Sequence, residues 1–592
     1  MVLREGKRFL AWLDAQTPGR RLWLLLGAIG VALGLLSLIG GSPRNLPTVA
    51  SDTAGKDIQS SVAAAAHEEG LGSLSDRPGV SGKPVRTIAV ARAGPTGDAS
   101  AAAGPAPSTG ASAPAASAST GAAADMGSPP QKQQRVAEAP RPAGTPADAK
   151  GSTPKSPTQG DSPFEGTPAL KTAETKMNIQ DVKSPGGISA WLVEEHSVPL
   201  LAIRFVFDGG SSQDPPGKEG LANYLTAMMD EGAGDLDATH FQERMEELAV
   251  RMSFEDAKDA LYGSFETLSA NREPALEMLR LAVNAPRFDS EAVERIRKQL
   301  LANLAYAAKN PQQVAGREWY EGAFPGHPYG RHAGGTSESI ASIQSADLEG
   351  FRKRTFARDT LKVVAVGDID AKTLGEILDK VFGALPAKAE LTSVSDTAPN
   401  PGEKLKVVEM DVPQSVVQFG LPGFARKDPD FIPAFVMNQI LGGGGFASRL
   451  TEEVREKRGL AYSVYSYMQP LKHASTFGGG VATKNEAVKQ SIDVIRGELE
   501  RMAKDGPTET ELANAKSYLT GSFALRFDTN AKIANQLLWM LNEDMGIDYP
   551  TLRNAMIEAV TMEDVKRAAK RLLKVDDLFI TVVGKPKGLG NG

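Results

Sequence analysis

The chain of 592 residues contains no cysteine, which excludes disulfide bonds and thiolate metal sites. Histidine is scarce as well, because only six are present to supply nitrogen ligands to any zinc site. Positive charge is not in excess either: 66 Lys and Arg residues stand against 72 Asp and Glu residues, for a net charge of −6. Nucleic acid is therefore not an expected partner. A cysteine-free chain suits both oxidising and reducing compartments, so this absence does not locate the protein.

One long uncharged apolar run lies at residues 22–41, which read LWLLLGAIGVALGLLSLIGG. About twenty residues suffice to span the hydrocarbon core of a bilayer as a helix. Residues 1–21 carry five cationic and two acidic side chains, so the positive-inside rule predicts a cytoplasmic N-terminus. A cleaved signal peptide is the alternative, although its apolar region normally has about 7–15 residues and ends in a small-x-small site. We expect an uncleaved single-pass anchor in a bacterial inner membrane, with the folded domains in the periplasm.

Residues 42–176 are dominated by Ala, Gly, Pro, Ser and Thr, as in AAAGPAPSTGASAPAASASTGAAAD. Large apolar side chains are too sparse in this segment to offset the conformational entropy lost on ordering. We interpret it as a disordered linker that acts as a spacer and has no binding role of its own. As a flexible coil it would have an r.m.s. span on the order of 60–70 Å.

The remainder of the chain is predicted to fold as two tandem, homologous α+β domains, at residues 177–390 and 400–588. Strands and helices alternate in both, and similar segments recur at a nearly constant offset. The strand LKVVAVGD of the first domain recurs as LFITVVGK, 217 positions later, in the second. Proline, small residues and charge at residues 386–403 indicate a linker between the two domains.

In the first domain, residues 220–229 (GLANYLTAMM) have the apolar spacing of an amphipathic helix. The apolar side chains fall at i, i+3, i+4, i+7 and i+8, and they are Leu221, Tyr224, Leu225, Met228 and Met229. Asn223, Thr226 and Ala227 share a second face of the same helix.

This helix resembles the zinc-binding helix of the insulinase/pitrilysin family of metalloproteases, which reads Gly-Leu-Ala-His-x-x-Glu-His-Met. The two His positions are Asn223 and Ala227 here, and the Glu position is Thr226. The family's third ligand is a Glu on a later helix; its best match is Gln299, with Glu294 as the alternative register. A catalytic zinc needs three protein ligands and a base for its water. The resemblance therefore implies that this chain binds no zinc and that these positions are degenerate.

A second segment, SRLTEEVREKRGLAYSVYS at residues 448–466, also resembles this family. The family motif is an Arg seven residues before a Tyr, with Gly-Leu ahead of the Tyr, and Arg455 and Tyr462 match it. In the family these two residues hydrogen-bond substrate and help to stabilise the tetrahedral oxyanion, which favours a fixed cation and a phenol donor. From residue types alone, Arg455 could instead be a surface helix cation and Tyr462 a strand residue with a satisfied hydroxyl.

Other candidate sites in the sequence are weaker. His240 and Glu243 lack a second histidine, and His327 and His332 flank a Pro-Tyr-Gly turn that favours a structural role. No GxSxG elbow is present. The glycine run Gly442–Gly445 lacks the Gly-Lys-Ser/Thr of a phosphate loop, so we interpret it as a flexible turn between two helices.

Two-subunit members of the family divide the work: one subunit carries the His-x-x-Glu-His helix, and the other supplies the Arg/Tyr pair in trans. This chain resembles the second kind. We expect a membrane-anchored, catalytically deficient subunit that pairs with a zinc-bearing partner and helps to hydrolyse peptides, without activity alone. The alternative is a non-enzymatic scaffold or peptide-binding subunit of a cell-envelope assembly.

Overall fold

The structure is a computed structural model that describes residues 177–589. The predicted membrane anchor at residues 22–41 and the predicted linker at residues 42–176 lie outside the described residues. Among the helices of residues 177–589, none is both long and apolar enough to cross a membrane.

The first half is built on a six-stranded sheet with the strand order β1-β2-β6-β3-β5-β4. Its strands are β1 (Ile179–Lys183), β2 (Ser189–Glu194), β3 (Leu200–Asp208), β4 (Arg251–Asp256), β5 (Ala260–Leu268) and β6 (Lys362–Gly367). The central strands β3 and β6 are apolar along nearly their whole length and are buried on both faces. Such continuous apolar runs are typical of strands covered on both sides.

Within the described residues, the first half has eight helices. They are α1 (Leu221–Met228), α2 (Ala238–Glu247), α3 (Arg272–Asn284), α4 (Ser290–Ala307), α5 (Pro311–Ala323), α6 (Ser337–Ser342), α7 (Ser345–Thr355) and α8 (Ala371–Phe382). Leu225 of α1, Leu279 of α3 and Ile377 of α8 meet Phe205 of β3 in one apolar core on one face of the sheet. The apolar spacing of residues 220–229 therefore predicts the buried stripe of α1 correctly.

The second half is built on a five-stranded sheet with the order β7-β11-β8-β10-β9. Its strands are β7 (Leu405–Glu409), β8 (Gln414–Pro422), β9 (Ala461–Pro470), β10 (Ser475–Lys484) and β11 (Phe579–Gly584). Its helices are α9 (Phe431–Asn438), α10 (Val488–Asp505), α11 (Glu509–Phe523), α12 (Asn530–Asn542), α13 (Tyr549–Glu558) and α14 (Met562–Leu572). Both sheets have the same pairing pattern, with β2, β6, β3, β5 and β4 equivalent to β7, β11, β8, β10 and β9. The predicted two-domain α+β architecture is present in the described residues.

One helix of each half packs on the outer face of the other half's sheet. Helix α5 lies on β8 and β11, where the Trp319 indole N–H donates to the carbonyl of Phe579 at 3.3 Å. A Cβ at Gly420 would overlap that indole, so the close approach requires glycine. Reciprocally, α12 lies on β3 and β6, and Arg204 donates from Nε to Asn535 Oδ1 at 2.6 Å. The two halves are thus held together by α5 and α12, which we call the exchanged helices.

The segment between the halves is fixed by hydrogen bonds to both of them. The backbone N–H of Thr392 donates to Gln213 Oε1 at 2.7 Å, and the Gln213 amide donates back to the Thr392 carbonyl at 3.0 Å. Further along, the N–H of Thr397 donates to the carbonyl of His473 at 2.8 Å. The predicted joint at residues 386–403 lacks helix and strand, as expected for a linker, but it lies against the domains.

Candidate functional site

Helix α1 begins at a buried carboxylate. The two oxygens of Asp214 accept the backbone N–H groups of Gly220, at 2.8 Å, and Ala222, at 2.9 Å. Gly220 has a φ of 89°, and a Cβ there would lie 2.8 Å from the carbonyl oxygen of Gly334. Burial raises the pKa of Asp214 well above its ordinary value, more than the two N–H bonds lower it. The start of the zinc-like helix is therefore still fixed by side-chain capping.

The face of α1 that carries the degenerate zinc positions makes internal contacts. Asn223 donates from Nδ2 to Asp256 Oδ1, at the end of edge strand β4, at 2.9 Å. Thr226 donates from its hydroxyl to the Asn223 carbonyl at 3.0 Å, and both side chains are buried. Ala227 is half-buried and has no donor atom. The side chains at the predicted degenerate zinc positions are thus part of the packing.

Helix α4, which carries the two candidates for the third ligand, packs directly against α1. The Tyr224 hydroxyl donates to the carbonyl of Val293 at 2.5 Å. Gln299 is half-buried, whereas Glu294 is exposed and pairs with Arg297 at 3.0 Å. Within residues 177–589, no group of three or more His, Asp or Glu side chains is placed to hold a metal ion.

Arg455 lies in an irregular helical segment of the second half. Residues Thr451–Glu456 form a π-helix, a rare geometry that is frequent at functional sites. The guanidinium carbon of Arg455 lies 4.9 Å from the centroid of the Tyr462 ring, within cation–π range. The two residues of the sequence motif are therefore in contact. Arg455 Nε is also 3.3 Å from the carboxylate of its neighbour Glu456.

Tyr462 owes its exposure to a bulge in edge strand β9. Val464 pairs with Val481 and Ala461 pairs with Thr483, so Tyr462 and its neighbour stand opposite a single residue of β10. Val464 points into the core, and a regular strand would turn Tyr462 to the same side. The bulge turns it outward instead, so its side chain is 81% exposed. Its hydroxyl has no hydrogen-bond partner among the described residues.

The glycine run before Arg455 is not a plain turn, which corrects the expectation from the sequence. Residues Gln439–Gly443 extend α9 as a second π-helix, and Gly445–Ala447 form a 3-10 turn. A Cβ at Gly443 would lie 2.7 Å from the Asn438 amide, and Gly445 has a φ of 56°. The run therefore has a defined path that carries the next side chain, Phe446, to Arg455.

Phe446 is the site residue that the sequence analysis missed. Its ring is 76% exposed, and its centroid lies 4.7 Å from the guanidinium carbon of Arg455. The guanidinium thus lies within cation–π range of two aromatic rings, those of Phe446 and Tyr462. The position of Phe446 directly after four glycines was the available signal, because such a run lets backbone approach closely.

Two of the histidines considered as alternative sites have structural partners, and the third is buried. His327 Nε2 lies 2.9 Å from the Ser395 carbonyl, and His240 Nδ1 lies 2.9 Å from Asp237, the cap of α2. Burial and nearby Arg317 lower the pKa of His332 to about 4, so this imidazole is neutral near pH 7. These contacts support the structural interpretation.

Comparison with known proteins places these two sites in a family. The model of the insulinase family (peptidase family M16) matches residues 191–337, and the model described as the M16 inactive domain matches residues 342–519. Together they cover more than half of the chain. A crystal structure from Pseudomonas fluorescens, titled as a peptidase M16 inactive domain, is 32% identical with a TM-score of 0.66. The match covers 69% of this chain and 98% of that one.

The chain belongs to the insulinase (M16) family. A relative from Helicobacter pylori named "Non-peptidase homolog YmxG" is 28% identical over 419 residues, which cover 70% of this chain and 95% of that one. An uncharacterized zinc protease of Streptomyces coelicolor is 26% identical over 404 residues, which cover 66% of this chain and 86% of that one. Asn223, Ala227 and Thr226 stand where the family motif has two His and a Glu. With similar chains described as a non-peptidase homolog and as an M16 inactive domain, the M16 chain described here is an inactive member of the family, as expected of a chain that is not active alone.

Proposed function

We propose that this M16 chain is the non-catalytic subunit of a two-subunit zinc peptidase. It supplies Arg455 and Tyr462 to a cleft in which a partner with an intact His-x-x-Glu-His helix holds the zinc. One observation carries the proposal: a π-helix and a β-bulge, both costly irregularities, place these two side chains together on the surface.

The chemistry of the pair suits a peptide in the cleft. A guanidinium and a phenol both donate hydrogen bonds, and a carbonyl oxygen gains negative charge as water attacks its carbon. Donors that are already in place stabilise that charge without reorganising in the transition state. The hydroxyl of Tyr462 is exposed and the edge of Arg455 is partly open, so a substrate held by the partner could reach both.

The proposal includes the membrane. Residues 22–41 anchor the chain in a bacterial inner membrane with residues 1–21 in the cytoplasm, and residues 42–176 tether the folded domains in the periplasm. The apolar length and the charge asymmetry of the N-terminal sequence support this placement. The tether lets the head and its partner act at a distance on the order of 60 Å from the bilayer.

The test is peptide cleavage by this chain mixed with an M16 chain of the same genome that has the complete zinc motif. We expect no cleavage by the chain alone, strong cleavage by the mixture, and a loss of about 10²-fold or more with Arg455→Ala plus Tyr462→Phe. A matched control changes the same residue types away from the site, with Arg244→Ala plus Tyr306→Phe, both exposed in the first half. Full cleavage by the Arg455/Tyr462 double variant would refute the proposal.

The second candidate is a non-enzymatic scaffold or peptide-binding subunit of a cell-envelope assembly. It is favoured by the internal hydrogen bonds of Asn223 and Thr226, which close the former zinc face without leaving a site. Affinity purification from membranes distinguishes the two. Recovery of envelope assembly proteins without an M16 peptidase supports the scaffold.

A further inference from the structure

Phe446 has no packing reason to be where it is. Its ring is 76% exposed, yet it lies on a glycine run whose path is restricted by close backbone contacts. Its only ring contact among the described residues is with the guanidinium of Arg455. An exposed aromatic ring held in a defined place suggests a role beyond stability.

The arrangement restricts how Arg455 can act. Its guanidinium carbon lies 4.7 Å from the Phe446 centroid and 4.9 Å from the Tyr462 centroid, so both rings contact the same cation. A guanidinium donates hydrogen bonds only in its own plane. Two ring contacts restrict this long, flexible side chain and keep it from collapsing onto the surface, while its N–H groups remain able to donate.

Anchors on both sides of Phe446 fix its place. Before it, a Cβ on Gly443 or Gly444 would collide with residues of the preceding turn. After it, Arg449 donates from Nε to Glu511 Oε1 at 2.6 Å and from the terminal nitrogen to the Gly506 carbonyl at 3.0 Å. The segment is therefore held at both ends, and Phe446 is presented between them.

We propose that Phe446 is a positioning residue that holds the Arg455 guanidinium against Tyr462 so that its in-plane N–H groups face a substrate carbonyl. The consequence of this positioning for catalysis rests on the proposed function. The contact of Phe446 and Tyr462 with Arg455, which we call the clamp, lies within this chain alone. Phe446 touches the cation through its π face and makes no hydrogen bond to substrate.

The clamp is tested on the purified full-length chain with phenylglyoxal, which modifies accessible guanidinium groups, and mass spectrometry of the Arg455 peptide. We expect Phe446→Ala to raise the rate of modification about 2- to 5-fold, the range that one exposed cation–π contact corresponds to. Phe446→Tyr should keep the wild-type rate. Phe446→Leu, which keeps apolar bulk without a ring, should behave like Ala. Leu525→Ala, another exposed apolar side chain of the second half, is the control and should change nothing.

Cleavage by the complex with a zinc-bearing partner is the second readout. Phe446→Ala should lower kcat more than it raises KM, because the donor is misplaced in the transition state, and Phe446→Tyr should restore kcat. An unchanged modification rate in Phe446→Ala overturns the clamp. If the rate rises as expected while no partner yields cleavage, the clamp stands and the proposed function fails.

Discussion

Asn223, which the sequence motif aligns with a zinc-binding histidine of the family, uses its amide in the packing between α1 and β4. Its Nδ2 donates to the buried carboxylate of Asp256 at 2.9 Å. Its Oδ1 is buried and has no partner among the described residues. A buried amide oxygen without a partner costs roughly 1–3 kcal/mol, so this position is not optimised for stability.

Replacing the amide with a carboxylate tests the role of that hydrogen bond. Asn223→Asp removes the donor and places a second negative charge beside Asp256, so we expect a loss of about 2–4 kcal/mol in the free energy of unfolding at pH 7. Repulsion and burial raise the pKa of such a carboxyl in the folded state. The charge-dependent part of the loss is therefore full only above the raised folded-state pKa, and it shrinks as the pH falls from there toward the unfolded pKa of about 4.

Urea unfolding at pH 7 and pH 5 measures both effects. Asn310→Asp is the matched control, because Asn310 caps α5 through its oxygen alone, accepting from Gln312 and Gln313. Aspartate fills that role equally well, so the control should be near neutral. Equal stability of Asn223→Asp and wild type at pH 7 would show that the Asp256 contact is not a stabilising one.

The elements around Arg455 show what the sequence could predict and what it could not. The spacing of Arg455 and Tyr462 was visible through the family motif, and helix α1 followed from its apolar periodicity. The π-helix, the bulge and the Phe446 ring contact were not visible, because local propensity does not encode how β9 meets the glycine run in space. At position 223 the sequence shows that the family's histidine is absent. It does not show the hydrogen-bond partner of Asn223, because Asp256 is 33 residues away on a strand that the apolar periodicity did not indicate.

Helix α11 begins with an ion pair between Glu511 and Arg449. The stability that this pair contributes should therefore depend on pH. Glu511 closes a capping box with Thr508 at the start of α11 and receives Arg449 through both of its oxygens, at 2.6 and 2.7 Å. The hydrogen bond from Arg449 is the main cause that lowers the pKa of Glu511 to about 2. A lowered carboxyl pKa adds stability above the unfolded value, and this contribution disappears as the pH falls from about 4.5 to 2.

We therefore expect Glu511→Gln to lower the free energy of unfolding by about 1–2 kcal/mol at pH 7, allowing for partial solvent screening. The difference from wild type should narrow below about pH 4, as Glu511 itself becomes protonated in the unfolded chain. Glu509→Gln, in the same first turn but exposed, is the control. Denaturation midpoints between pH 3 and pH 7 check this, and a difference that stays constant over this range contradicts the assignment.

At the scale of the whole molecule, the exchanged helices make the two halves dependent on each other. The first sheet is covered on one face by α12, whose Leu537 lies in an apolar cluster with Val206 and Val364. The second is covered by α5, whose Trp319 lies with Phe324 and Phe579. In each half, a helix of the other half packs on the outer face of the sheet. This interlocking was beyond the sequence, since periodicity shows which face of a helix is buried but not what covers it.

The interlock predicts that damage to either exchanged helix weakens both halves. Trp319→Ala and Leu537→Ala each remove a buried side chain, so we expect a loss of about 3–5 kcal/mol for the tryptophan and about 2–5 kcal/mol for the leucine. If the two halves unfold as one cooperative unit, each variant should lower amide hydrogen-exchange protection in β3 and β6 as well as in β8 and β11. Leu552→Ala, on the exposed side of α13, should leave protection unchanged. The contradicting result is a variant that loses protection only in the sheet that the altered helix covers. That result would mean that the two halves unfold independently and that the exchanged helices do not couple them.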